Sequence, residues 1–201
     1  MLHVGFDFDN TLISYDRLFR QVALDNSLIP EAISPQKNAV RDYLRLQGKE
    51  DDWTRLQGEV YGGRILEAEP YPGMCETVRR MARSNIPMCI VSHKTLFPYL
   101  GEPLDLHAAA RSWLTLQGFH RAEGLGWKEG QVFFELTKEE KVARIVALGC
   151  THFVDDLPEI LDMLPDSIQK ILFAPSGVVQ RYPAWQLMTT WRALPDILGL
   201  Q

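Results

Sequence analysis

Four aspartates at two places in the chain are the residues most capable of chemistry. Asp7 and Asp9 stand two apart at the end of an apolar run, in the stretch Asp7-Phe8-Asp9-Asn10-Thr11. Alternate side chains of an extended chain share a face, so both carboxylates start on one side. Asn10 suits the turn that must follow. Asp155 and Asp156 close a second apolar run, His152-Phe153-Val154. Carboxylates this close repel one another unless a cation or a shared proton intervenes. Hard oxygen donors with few others nearby point to Mg2+ rather than zinc. A single pair has a plainer explanation, because aspartates commonly cap helices. Two pairs at equivalent strand ends are hard to explain without a metal.

Other polar residues fall at comparable places. Ser92, followed by His93, ends the run Met88–Val91 and offers a hydroxyl. Lys138 and Lys141 open a helical stretch that leads into the Asp155 run. Helix starts favour acids over lysines, so two lysines here are unexpected on structural grounds alone.

The elements that must position these groups are legible as a pattern. Apolar runs at 2–9, 87–92, 131–136, 151–156 and 170–175 alternate with helical stretches at 73–84, 105–118 and 138–149. That alternation indicates βαβ units and a parallel sheet. The near-continuous apolar runs suit strands covered on both faces. Parallel strands present their carboxyl ends along one edge, where both aspartate pairs could share a cation. Between Ser14 and Pro72 the pattern changes to helical pieces (15–26, 34–48 and 51–63) broken by Pro30, Pro35, Gly48, Gly62 and Gly63. The predicted fold is α/β: a doubly wound, Rossmann-like parallel sheet formed by 1–13 and 73–201. A small all-helical insertion, 14–72, follows the first strand.

Bulk properties narrow the function. With 201 residues, 46% of them hydrophobic, the chain can bury one good core. No apolar stretch approaches the roughly 18 residues of a membrane span, and the first residues lack the pattern of a signal peptide. Cys75, Cys89 and Cys150 are scattered and odd in number, which favours free thiols in a reducing cytoplasm over a disulfide framework or zinc site. A net charge of −5 argues against a nucleic-acid partner. Trp113, Trp185 and Trp191 are predicted to be packing residues.

Taken together, DFDNTL (7–12), IVS (90–92), a lysine at 141 or 138 and FVDD (153–156) resemble, in order, the four motifs of the haloacid dehalogenase-like superfamily of aspartyl phosphohydrolases. That resemblance implies Asp7 as nucleophile and Asp9 as general acid/base. It implies Ser92 and one lysine as phosphoryl ligands, with His93, Asn10 and Thr11 as further phosphate-binding candidates. Mg2+ would be held by Asp7, the Asp9 carbonyl, Asp155 and Asp156, and 14–72 would be a helical C1-type cap. Lys141 fits the register of compact members with a DD fourth motif, and Lys138 that of longer ones; Lys141 is preferred. Asn10 stands where the family most often has glycine.

The superfamily's dehalogenases lack an acid two positions after the nucleophile, so Asp9 argues for a C–O–P substrate. The implied substrate is a small phosphorylated metabolite of the sugar phosphate or nucleotide class. The alternatives are a phosphotransferase or phosphomutase using the same intermediate, and a non-enzymatic receiver-like phosphoacceptor. Receiver domains, however, carry their acidic pair at the first strand and the phosphorylated aspartate on a later one.

Overall fold

The computed structural model describes residues 2–177 and 185–200. In chain order the first elements are β1 (Val4–Phe6), β2 (Ile13–Ser14), α1 (Asp16–Asp25), α2 (Lys37–Leu46), α3 (Glu50–Gly58) and β3 (Glu69–Pro70). There follow α4 (Met74–Arg83), β4 (Met88–His93), α5 (Leu106–Leu116), β5 (Val132–Glu135) and α6 (Lys138–Ala147). The last are β6 (His152–Asp155), α7 (Pro158–Met163), β7 (Gln169–Phe173), β8 (Gln186–Met188) and α8 (Leu194–Ile197). The chain divides into two compact units. One comprises Met1–Ile13, Pro70–Lys94 and Gly118–Gln201; the other comprises Ser14–Glu69 and Thr95–Gln117.

The first unit is built on a six-stranded sheet in the order β5-β4-β1-β6-β7-β8, with every pairing parallel. β1 is central, and its three residues are fully buried. From β1 the chain builds outward through β4 and β5, then crosses back to β6 on the other side and continues to β8. That reversal opens a crevice at the carboxyl end of β1, the usual ligand site of a doubly wound sheet. All five predicted apolar runs are strands. β8 was not anticipated, because three residues give too short a run to show a period. Trp191 is fully buried with its ring 5.4 Å from Phe6, and its Nε1 donates to the Thr11 carbonyl at 3.0 Å. A packing residue thereby fixes the segment that follows β1.

The second unit is helical, with a core of Tyr15, Phe19, Val22, Leu44, Trp53 and Leu56. Phe19 stacks on Trp53 at 5.0 Å. This unit differs from the predicted insertion 14–72 because it also takes in 95–117, which had been assigned to the sheet domain. The reason lies in α5, which buries Leu106, Ala110, Trp113 and Leu114. Its Trp113 Nε1 donates to the Ala68 carbonyl at 2.8 Å. Gly62, in a π-helical turn, lies so close to Leu104 and Leu106 that an added Cβ would come within 3.1 Å of both. Periodicity shows that α5 has an apolar face, but not which surface receives it. Among the described residues, no helix is long and apolar enough to cross a membrane.

Candidate active site

The site begins with backbone. The Asp7 amide donates to the Val154 carbonyl at 2.9 Å, extending the pairing of β1 with β6 by one residue. The chain then wraps around the Phe8 carbonyl, which accepts from the amides of Thr11, Leu12 and Ile13 at 3.0–3.4 Å. Asn10 adopts a left-handed φ of +59° to make this turn. Asparagine tolerates that region far better than branched residues, which accounts for its use at a position glycine would also suit.

Around this turn the acids and bases converge. Asp7 is buried, and its Oδ1 accepts from Ser92 Oγ at 2.9 Å and from Lys141 Nζ at 2.6 Å. Lys141, 1% exposed, also donates to Asp155 Oδ2 at 2.6 Å. The other Asp155 oxygen accepts from the Leu157 amide. Thr11 Oγ1 donates to Asp156 at 3.4 Å. One carboxylate oxygen from each of Asp7, Asp155 and Asp156 lies within 4.8 Å of the other two. Asp9 is held by Lys94, whose Nζ donates to both of its carboxylate oxygens at 3.0 Å.

Each basic partner is positioned by its own element. α6 starts with a capping box: Thr137 Oγ1 accepts from the Glu140 amide, and the Glu140 carboxylate accepts from the Thr137 amide, both at 3.1 Å. Lys141 follows one turn into the helix and reaches the Asp7–Asp155 cluster. Lys138, the other candidate, does not. Set at the solvent side of the first turn, it pairs with Glu159 at 2.7 Å. Ser92 and Lys94 are two apart at the end of β4, as Asp7 and Asp9 are after β1, so neighbouring strands each deliver an alternating pair. His93, between them, is directed elsewhere, with its Nε2 at 3.0 Å from the Leu136 carbonyl. The structure does not bring its ring to the aspartates. Lys94, which pairs with Asp9, is a residue the sequence reading did not place in the site. Its signal was the same two-residue spacing that singled out Asp7 and Asp9.

The electrostatics follow from burial. Desolvation pushes the Asp7 carboxyl up to about 7; Lys141 opposes this, while Asp155 and Asp9 add to it. Burial alone would lower the Lys141 ammonium, yet Asp155 and Asp7 hold it above the ordinary lysine range. Fully ionised, four carboxylates face two ammonium groups, leaving an excess of two negative charges. A three-carboxylate oxygen cluster with that excess fits one hard divalent cation, so Asp7, Asp155 and Asp156 could hold Mg2+.

No family model matches this sequence, and no curated protein matches it. Solved structures do. A predicted phosphoglycolate phosphatase from Haemophilus somnus 129pt superposes with a TM-score of 0.62 at 16% identity, covering 98% of this chain and 97% of that one. A HAD family hydrolase from Deinococcus radiodurans R1, solved with bound phosphate and sodium, gives 0.61 at 14% identity over 98% and 94%. A structure described as a dehalogenase gives 0.60 at 13% identity over 100% and 98%. At such identities the likeness speaks to the fold.

Proposed function

Because this chain has the haloacid dehalogenase-like hydrolase fold, we propose that it is a Mg2+-dependent phosphatase acting on a small phosphorylated metabolite through an aspartyl-phosphate on Asp7. One observation carries the proposal. Asp7, at the carboxyl end of the central strand, is held by Ser92 and Lys141 beside two further carboxylates. The cation, when bound, would offset charge on the phosphoryl oxygens. Without such offsets, attack by a carboxylate on a phosphate dianion meets roughly 4 kcal/mol of repulsion per charge pair at 4 Å and an effective dielectric of 20.

The chain's own residues account for the remaining steps. Lys141 holds Asp7 by one oxygen and fixes the direction of its carboxylate. The Asp7 carboxylate forms the new O–P bond as the ester oxygen leaves, and Asp9 gives that oxygen its proton. A bound phosphate would compete with Asp9 for the Lys94 ammonium, which donates to both Asp9 carboxylate oxygens. Asp9 then takes a proton from the water that hydrolyses the aspartyl-phosphate, and inorganic phosphate leaves. Ser92, with its hydroxyl at the same edge, is assigned to the phosphoryl oxygens. The second unit, inserted after Ile13, is assigned the role of cap on its place in the chain.

The likeness to a dehalogenase raises a second reading, displacement of halide by Asp7. Asp9 disfavours it, because a departing halide needs no proton donor. Parallel assays separate the two: phosphate release from a panel of phosphorylated metabolites, and halide release from short 2-haloacids, each with Mg2+ or chelator. Chelator-sensitive phosphate release is expected. Halide release without phosphate release would reverse the assignment, and phosphoryl transfer to a second sugar would make the chain a phosphotransferase.

A further inference from the structure

At the opposite end of β1 from Asp7 the structure gathers a different set of donors. Cys89 on β4 and Cys150, just before β6, are both buried, and their sulfurs lie 3.5 Å apart. A His3 ring nitrogen completes the group, with all three ligand atoms within 4.8 Å of one another. We propose that His3, Cys89 and Cys150 form a binding site for a borderline-soft divalent metal ion, Zn2+ in the first instance, separate from the aspartate cluster. Four residues of extended strand, roughly 13 Å at about 3.3 Å each, separate His3 from Asp7.

Three features of the fold build this site. β1 runs between β4 and β6, and Gly5, level with Cys89 on one side and Phe153 on the other, has no side chain there. A Cβ on Gly5 would stand 2.6 Å from the Phe153 ring and 3.1 Å from the Cys150 sulfur, so only glycine lets Cys150 approach the strand this closely. His3 shares the face of Gly5 by strand alternation. Its backbone is pinned by Thr151, which donates its amide and hydroxyl to the His3 carbonyl and accepts from the His3 amide through Oγ1.

The chemistry favours a divalent ion over the alternatives. Two sulfurs about 2.3 Å from a tetrahedral zinc stand roughly 3.8 Å apart, close to the separation already present. The hydrogen bond shared with Cys150, together with burial, pushes the Cys89 thiol up. Metal uptake would release two protons, one from each thiol, and leave two thiolates balancing a 2+ ion. That neutral unit suits a buried position; a monovalent ion would leave one charge uncompensated. A fourth position remains for water. A disulfide fits less well. Strands on either side of a third are roughly 9–10 Å apart, whereas bridged Cα atoms lie within about 7 Å.

The test uses reduced, chelator-treated protein with saturating Mg2+ on the aspartates. Titration with Co2+ is expected to give thiolate-to-cobalt charge-transfer absorption, displaced by Zn2+ at one ion per chain. The band should be lost in Cys89→Ser and Cys150→Ser, and binding should weaken at least about tenfold in His3→Ala. In case a serine variant fails to fold, the unaltered protein supplies a second readout. Zn2+ should slow alkylation of Cys89 and Cys150 while leaving Cys75 unchanged. Absence of the band, its survival in Cys150→Ser, or equal alkylation with and without Zn2+ would overturn the site. Formation of a Cys89–Cys150 disulfide without metal uptake would do the same.

Discussion

Asp7 and Asp9 stand two residues apart yet are held in different ways, and their substitutions should differ accordingly. Asp7→Asn removes the attacking carboxylate but keeps shape and one acceptor for Ser92, so the fold should persist while Mg2+-dependent phosphatase turnover disappears. Asp9→Asn leaves the nucleophile intact and should slow turnover by at least about a hundredfold, the scale of a lost general acid/base; an unchanged rate would remove that role. The lysines provide a sharper contrast. Lys141→Met withdraws the donor shared by Asp7 and Asp155 and should cost about a hundredfold or more in kcat. Lys138→Met breaks only a surface pair with Glu159 and should leave kcat within about twofold. Equal effects in steady-state assays would contradict the placement of both. At this scale much was legible in the sequence: the DFDNT stretch and the DD pair stand out because acids at strand ends are hard to explain otherwise. The choice between Lys138 and Lys141 was legible only as a preference for Lys141, because the two lie on one helix three residues apart. Only the direction of α6 relative to the sheet separates them. His93 and Lys94 could not be ranked from the sequence for a related reason, since strand alternation decides which reaches the aspartates.

Among the elements, the turn after β1 and the helix α5 show how local conformation sets the larger arrangement. Asn10 holds its positive φ at modest cost, so Asn10→Gly should be nearly neutral for stability. Asn10→Val should lose about 1–2 kcal/mol in denaturant unfolding, because a β-branched residue resists the left-handed region. A neutral Asn10→Val would mean that the turn relaxes. In the second unit, Trp113 is fully buried and hydrogen-bonded to the Ala68 carbonyl. Trp113→Phe should cost about 1 kcal/mol for the unsatisfied carbonyl, and Trp113→Ala about 3–5 kcal/mol. The strands and helices were largely readable as alternating patterns, and the break after the first strand showed where an insertion begins. Two things were not readable. β8 is too short to carry a period, and the docking of α5 against a π-helical turn depends on Gly62, whose role appears only when its neighbours are in place.

For the molecule as a whole, a parallel sheet whose strand order reverses at β1 brings residues separated by more than a hundred positions to one edge. That concentration of carboxylates is a cost to folding which a bound cation would relieve. Mg2+ at 100 times its dissociation constant should stabilise the protein by about 2.7 kcal/mol, visible as a higher melting temperature. The gain should vanish in Asp155→Asn, and a gain of equal size in that variant would place the ion elsewhere. The central claim is that Asp7 attacks phosphorus. It is tested most directly by mixing the protein and Mg2+ with a labelled phosphomonoester substrate, quenching in acid within one turnover and mapping the label by peptide mass spectrometry. Phosphate attached to Asp7, absent from Asp7→Asn and from chelator-treated protein, is the expected result. Turnover that leaves no covalent label on Asp7, or that persists in Asp7→Asn, would contradict the account.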